Sequence, residues 1–311
     1  LARRSGPPLS MAPVAERTAL PPWLKVKLPT GPVVARLKEA SRSRGLSTVC
    51  EEARCPNLAE CWGGGTATFM VMGDTCTRGC RFCSVGTNVK PPVPDINEPS
   101  KLALTLKEMA VEYAVLTTVC RDDLPDQGAG HLAACIREIK SVCPDMKLEM
   151  LLQDFRGDRR LLETVLDAGP DVVAHNVECV ERLTSSVRDA KAGYRQSLDV
   201  LAHAKAYRPS SPTKSSLMLG LGETEGELIE SFKDLRSIGV DILTLGQYLR
   251  PSRSRHHLMV DRFVHPDEFK RFGEMAKEHG FLYVASGPFV RSSYRAAELF
   301  LKGHLENNDA T

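Results

Sequence analysis

The chain has no long apolar run. Its most hydrophobic stretches, such as residues 67–72, fall far short of the ~18 residues a membrane-crossing helix needs. It has no surplus of charge either, since 41 Lys and Arg stand against 39 Asp and Glu and leave a formal net charge of +2. That balance advertises no polyanion and no membrane surface, so neither a nucleic acid nor a membrane is expected among its partners. No apolar signal-peptide core opens the sequence. A secreted disulfide scaffold is usually a short chain without room for a core, and 311 residues is too long for that class. What is present is 42% hydrophobic and 26% charged residues, enough for a packed interior. The length suits one α/β barrel with appendages.

The first 30 residues are rich in Pro and Gly and carry Arg3 and Arg4 with no acidic residue before Glu16. They read as a flexible arm. An acid-poor, Arg-containing start also fits the remnant of an organelle-targeting segment, but it lacks an amphipathic helix, and Met11 is a more natural start. From residue 67 onward, short β-branched or apolar runs alternate with helical patterns. Strands are expected at 67–72, 113–119, 147–152, 171–175, 215–219, 241–247 and 282–286. Between them the periodicity predicts helices such as 224–238, opened by a Thr224/Glu227 capping box and stopped by Gly239, and 131–142. Repeated strand-helix units imply parallel strands joined by right-handed crossovers. Six or seven of them predict a full or partial (β/α) barrel, whose chemistry sits after the C-terminal strand ends.

Ten cysteines are the anomaly, because Cys50, Cys55, Cys61, Cys76, Cys80 and Cys83 fall inside 34 residues. In a reducing compartment clustered thiols read first as metal ligands or redox centres. Cys76, Cys80 and Cys83 form a C-x3-C-x2-C run directly after the first expected strand, with Gly79 relieving the turn. Three thiolates so spaced wrap one side of a metal centre, yet a tetrahedral zinc or an iron cubane has four corners. No fourth Cys or His follows at familiar spacing. An open corner is a place for a substrate or cofactor to bind.

That spacing, with Phe82 just before the last cysteine, resembles the radical S-adenosylmethionine (radical SAM) superfamily. The resemblance implies a [4Fe-4S] cluster on Cys76, Cys80 and Cys83 whose open iron binds S-adenosylmethionine, a source of the 5′-deoxyadenosyl radical. Further segments narrow it. Val49-Cys50-Glu51-Glu52-Ala53-Arg54-Cys55-Pro56-Asn57, Glu60-Cys61-Trp62, Arg121-Asp122-Asp123-Leu124, His175-Asn176-Val177-Glu178, Gln247-Tyr248-Leu249-Arg250-Pro251 and Arg291-Ser292-Ser293-Tyr294 are similar to the lipoyl synthase family, over roughly residues 21–300. The likeness implies a second, auxiliary [4Fe-4S] cluster on Cys50, Cys55 and Cys61, with Ser293 as its fourth ligand. A hard alkoxide among soft thiolates makes an easily lost bond, apt for a cluster consumed as sulfur donor. The implied reaction puts two sulfur atoms at C6 and C8 of a protein-bound octanoyl-lysine to form the lipoyl group. Implied partners are an octanoylated lipoyl carrier domain or glycine-cleavage H-type protein, an external electron donor, and an iron–sulfur carrier that rebuilds the auxiliary cluster.

The resemblance divides the chain into an arm (1–30), an auxiliary-cluster extension (31–66), a radical SAM partial barrel (67–290) and a C-terminal segment carrying Ser293 that closes over the site (291–311). Oxygen lability of such clusters points to a reducing, iron-supplied compartment: the cytoplasm, with the mitochondrial matrix as the alternative. Asn176 and Glu178, at a strand end, are expected to hold S-adenosylmethionine, and Gly220 and Gly222 to let backbone approach it. The third glycine and distal acid of a dinucleotide fingerprint are missing. Asp122 and Asp123 read as structural or cofactor-positioning, and Asp126-Gln127-Gly128 replaces the family's usual Asp-Gly-Gly. Cys120, Cys135, Cys143 and Cys179 read as packing residues. The basic run Arg250, Arg253, Arg255, His256 and His257 is a solvated face or a docking surface for an acidic partner. Rival readings are another radical SAM sulfur-inserting enzyme, which for RNA would need a binding module, a ferredoxin-like two-cluster electron carrier, and a structural zinc protein.

Overall fold

The computed structural model describes residues 20–25, 44–48 and 66–293. Ten strands are present among them: β1 (Ser47–Thr48), β2 (Thr66–Val71), β3 (Thr75–Cys76), β4 (Gly86–Thr87), β5 (Tyr113–Thr118), β6 (Lys147–Leu151), β7 (Val172–Ala174), β8 (Thr213–Leu219), β9 (Ile242–Gln247) and β10 (Tyr283–Gly287). Seven of these, β2 and β5 to β10, pair in parallel in chain order, and β1 adds an antiparallel edge to β2. All seven expected strands are present within two residues of their expected bounds. Among the described residues β10 pairs only with β9, so the sheet is an open, partial barrel.

The crossovers carry α1 (Glu98–Glu108), α2 (Ala129–Val142), α3 (Arg159–Leu166), the short α4 (Thr184–Val187), α5 (Tyr194–Tyr207), α6 (Glu225–Ser237) and α7 (Pro266–Glu278). Helix α6 begins where the sequence says it should, with the Thr224 hydroxyl accepting from the Glu227 N–H and the Glu227 carboxylate accepting in return. Its Leu228, Phe232 and Leu235 are buried against β8 and β9, while α2 buries Leu132, Cys135, Ile136 and Ile139 over β2, β5 and β6. A side chain of Leu or Phe size so buried contributes ~1.5–3 kcal/mol. Strands β2 and β9 are buried along their whole length, as parallel strands covered by helices must be.

This topology has two consequences for the cysteine loop. The loops leaving the C-terminal ends of β2, β5, β6 and β7 converge at one mouth. The tiny parallel ladder of β3 with β4, pairing Thr75 with Gly86 and Cys76 with Thr87, closes the neck of the loop that carries the three cysteines.

Candidate active site

The cysteine loop is launched by a tight turn. Met72 takes a left-handed φ of 69° and Gly73 one of 88°, the former a costly conformation for a side chain of that size. The Glu98 carboxylate, at the start of α1, accepts the Met72 N–H at 2.9 Å and lies 2.6 Å from His131 Nε2 on α2. Helices on the outer layer thereby fix where the loop leaves the sheet.

Within the loop Arg78 turns inward. Its Nε and Nη2 donate to the two oxygens of Asp122 at 3.0 and 2.9 Å, and its Nη1 donates to Asp154 at 2.7 Å. All three side chains are almost wholly buried. Burial alone would favour neutral groups, but the mutual bonds prevail: the Arg78 pKa is raised, Asp122 is held down to about 2, and Asp154 is lowered. Asp189 holds the loop from another side, accepting the Gly79 N–H at 2.9 Å and donating its own N–H to Cys80 Sγ at 3.4 Å. From a third, His257 Nε2 donates to the Cys83 carbonyl at 3.0 Å and Arg81 Nε to the His256 carbonyl at 3.1 Å. Two residues of the basic run thus dock on the cysteine loop, while Arg253 and Arg255 stay exposed.

Cys76, Cys80 and Cys83 line one cavity of about 300 Å³, a volume at the lower end of small-molecule sites. The Cys76 thiol accepts from the Cys120 thiol, and also from the N–H groups of Cys120 at 3.2 Å and Arg78 at 3.4 Å. These bonds outweigh its burial and bring it down to about 6. Burial pushes Cys80 up to about 11 and Cys83 up to about 12. A metal bound by this set therefore displaces protons from at least two of its ligands.

The facing wall comes from the ends of β6 and β7. His175 is neutral, donating from Nδ1 to the Leu152 carbonyl and accepting at Nε2 from the Ser197 hydroxyl, both at 2.9 Å; burial lowers its pKa to about 4. Beside it Glu178 adopts a left-handed φ of 68° and accepts from Asn176 Nδ2 at 3.1 Å. Burial raises the Glu178 pKa, opposed by the Arg188 guanidinium. Asn176 Oδ1 and Gln153 Oε1, both on residues of the cavity wall, are buried acceptors with no donor among the described residues. Each such atom costs ~1–3 kcal/mol unless a ligand donates to it. A donor-bearing molecule beside three thiols with an open corner is what these groups fit.

Ser292 and Ser293 reach the same cavity from the end of β10. Gly246 on β9 makes that approach possible, since a Cβ there would lie 2.1 Å from the Val290 carbonyl oxygen. The structure thus brings together Cys76, Cys80, Cys83, Asn176, Glu178 and Ser293. Cys50, Cys55 and Cys61 lie outside the described residues.

Gly220 and Gly222 are not among the cavity's lining, and they have a local reason instead. Both have positive φ, 92° and 99°, and a Cβ on Gly220 would meet the Arg262 carbonyl oxygen at 2.4 Å. The Gly220 and Leu221 N–H groups are taken up by the Glu223 carboxylate at 2.7 and 2.9 Å. Asp122 is structural through Arg78, and the two oxygens of Asp123 accept from Arg121 Nε and Nη2, both at 2.8 Å. Gln127 occupies the place of the expected glycine with a φ of 49°, and its side-chain amide donates to the Phe155 carbonyl at 3.1 Å. Cys135 and Cys179 are buried in the core. Cys120, by contrast, lines the cavity. Sequence reasoning missed Arg78, Asp154, Gln153 and Arg188; Gln153 and Asp154 directly follow a strand, where the barrel rule would have found them.

Comparison with known proteins agrees with this geometry. The family model for the radical SAM superfamily matches residues 70–235, and that for the N-terminal domain of lipoyl synthase matches residues 11–55. A lipoyl synthase of Myxococcus xanthus is 56% identical over 293 residues, covering 94% of this chain and 97% of that protein. A mitochondrial lipoyl synthase of Drosophila melanogaster is 54% identical over 297 residues, covering 94% of this chain and 78% of its own. Among solved structures, the FeFe-hydrogenase maturase HydG superposes with a TM-score of 0.57 at 13% identity over 81% of this chain and 62% of that one. HydG from Carboxydothermus hydrogenoformans gives 0.55 at 12% identity over 81% and 64%. These two likenesses speak for the fold alone.

Proposed function

The chain belongs to the lipoyl synthase family of the radical SAM superfamily, and from that premise we propose how its own residues divide the work of inserting sulfur at C6 and C8 of a carrier-bound octanoyl-lysine. It is a radical SAM sulfurtransferase, and its family implies a [4Fe-4S] cluster and S-adenosylmethionine. Cys76, Cys80 and Cys83 hold that cluster with one corner open. Cys50, Cys55 and Cys61, with Ser293, hold the auxiliary cluster. When bound, these groups supply the electron that releases a 5′-deoxyadenosyl radical, and the sulfur that replaces the hydrogen it removes.

The protein's task is orientation and exclusion. Asn176 Oδ1, Gln153 Oε1 and the Glu178 carboxylate present acceptors to the amino and hydroxyl groups of S-adenosylmethionine. Arg78, locked between Asp122 and Asp154, keeps the cysteine loop in one geometry, so that little reorganisation is needed when the cofactor binds. The apolar share of the wall, including Met70, Phe82, Val85 and Leu152, suits an octanoyl chain and keeps water from a radical. The octanoyl group arrives on a lipoyl carrier domain or H-type protein, an external donor supplies electrons, and an iron–sulfur carrier restores the spent cluster. The setting is a reducing compartment.

The observation that carries this reading is that Ser293 and the three cysteines of the loop, more than 200 residues apart in sequence, line the same cavity. The test is iron, acid-labile sulfide and zinc per chain after anaerobic reconstitution. Two cubanes predict about eight irons with matching sulfide and no zinc. About four irons would remove one triad from the ligand set, and zinc without iron would leave a structural metal protein.

A further inference from the structure

Cys120 is a cysteine of the cavity wall that the proposed reaction does not use. It stands where β5 ends, and the chain there lies directly against the start of the cysteine loop. The Thr77 N–H donates to the Cys120 carbonyl at 3.0 Å, the Thr77 hydroxyl reaches the same oxygen at 2.9 Å, and the Cys120 N–H returns a bond to Cys76 Sγ at 3.2 Å. A Cys120 N–H this close to Cys76 Sγ sets the two side chains next to one another, the proximity that a disulfide, with its Cα atoms ~4.4–6.8 Å apart, requires. Both residues keep some exposure and line the cavity, so a small oxidant reaches them.

The other possible pairings are less well prepared. The Cys80 sulfur is turned to the Asp189 N–H at 3.4 Å. Cys83 is fixed by the bond from its carbonyl to His257. Among the described residues, Cys76 is the cysteine whose sulfur accepts from the N–H of another cysteine.

We propose that Cys76 and Cys120 form a reversible disulfide when the cluster is absent, a redox modification site that closes the cluster's first ligand to iron and shields it from irreversible oxidation. A peroxide is the oxidant. It converts the Cys76 thiol to a sulfenic acid with release of water, and the Cys120 thiol then attacks that sulfur and expels a second water. Two electrons pass from the sulfur pair to the peroxide. A dithiol reverses the step by exchange, taking the two electrons' worth of oxidation onto itself as its own disulfide. An iron bound by Cys76 would engage the thiolate electron pair that the oxidant attacks, so the loaded enzyme would be protected. This last point rests on the reading of Cys76 as a cluster ligand, whereas disulfide formation in the iron-free chain does not.

The experiment treats the iron-free full chain with hydrogen peroxide, alkylates it, and maps disulfides and sulfur oxidation states by peptide mass spectrometry, with iron measured in parallel. The expected result is a Cys76–Cys120 linked peptide that disappears on dithiothreitol treatment. Iron loading of the oxidised chain should fail without dithiothreitol and recover with it. Cys120→Ala should instead accumulate sulfinic acid at Cys76, and its loading should not recover with the dithiol. Cys76 linked to Cys80 or Cys83, or Cys120 still alkylatable after Cys76 is oxidised, would overturn the proposal. Iron-loaded chain that forms the linked peptide as readily as iron-free chain would leave the disulfide standing and remove Cys76 from the ligand set.

Discussion

His175 is the residue at which local environment has the clearest consequence for the whole protein. Burial holds its imidazole near a pKa of about 4 against an ordinary 6.5, and both ring nitrogens are satisfied in the neutral form. The unfolded chain therefore takes up a proton that the folded one refuses. Stability from this group is full above pH 6.5 and is lost as the pH falls toward 4, by ~2 kcal/mol between pH 7 and pH 5. Urea unfolding at those two pH values measures it, and His175→Gln should flatten the difference. On the proposed ligand set, Ser293 bears on chemistry instead. Ser293→Ala should leave S-adenosylmethionine cleavage within ~2-fold of wild type while lowering lipoyl formation at least ~10-fold, about 1.4 kcal/mol in barrier. Quantifying 5′-deoxyadenosine and lipoyl product in the same reaction checks it, and a normal yield of both would take Ser293 out of the mechanism. At this scale the three loop cysteines were legible because their spacing is local. The Arg78–Asp154 bond was not, since its partners are 76 residues apart and nothing in either neighbourhood announces the other.

At the scale of elements, the strands and the α6 helix were readable because hydrophobic period, capping residues and stop glycines are short-range signals. Gln127 is the instructive departure. The turn needs a left-handed residue, the sequence offers no glycine there, and a side-chain bond to the Phe155 carbonyl supports the conformation from a distant loop. Gly246 makes a complementary point. Its backbone is not left-handed, and it is glycine because Val290 passes so close that a Cβ would meet its carbonyl oxygen at 2.1 Å. Gly246→Ala should push residues 290–293 off the sheet, costing ~1–3 kcal/mol in stability as overpacking does. Lipoyl formation should fall with cofactor cleavage retained, the same split as Ser293→Ala. Denaturant midpoints and the paired product assay test both halves. Loss of cofactor cleavage in step with lipoyl formation would mean that Gly246 serves the sheet rather than the segment.

For the whole molecule, the sheet is open and its mouth is built from loops that meet only there. A cluster that bridges residues of those loops binds the folded chain and not the unfolded one, so it stabilises by mass action. Removing iron with a chelator should lower the melting temperature by ~5 °C or more, as ~2.7 kcal/mol of binding free energy would in a chain of this size. Anaerobic calorimetry of loaded and stripped protein measures it, and equal melting temperatures would sink the idea. The sequence by itself determined the element order, the parallel sheet and the spacing of the loop cysteines, because each rests on residues within a few positions of one another. Only the tertiary structure decided that Ser293 shares a cavity with the cysteine loop, that Gly220 and Gly222 serve a turn outside it, and that Cys120 lies against Cys76. Those are contacts between ends of different strands, and their pairing is set by how the sheet curves and where the helices pack, which no local pattern encodes.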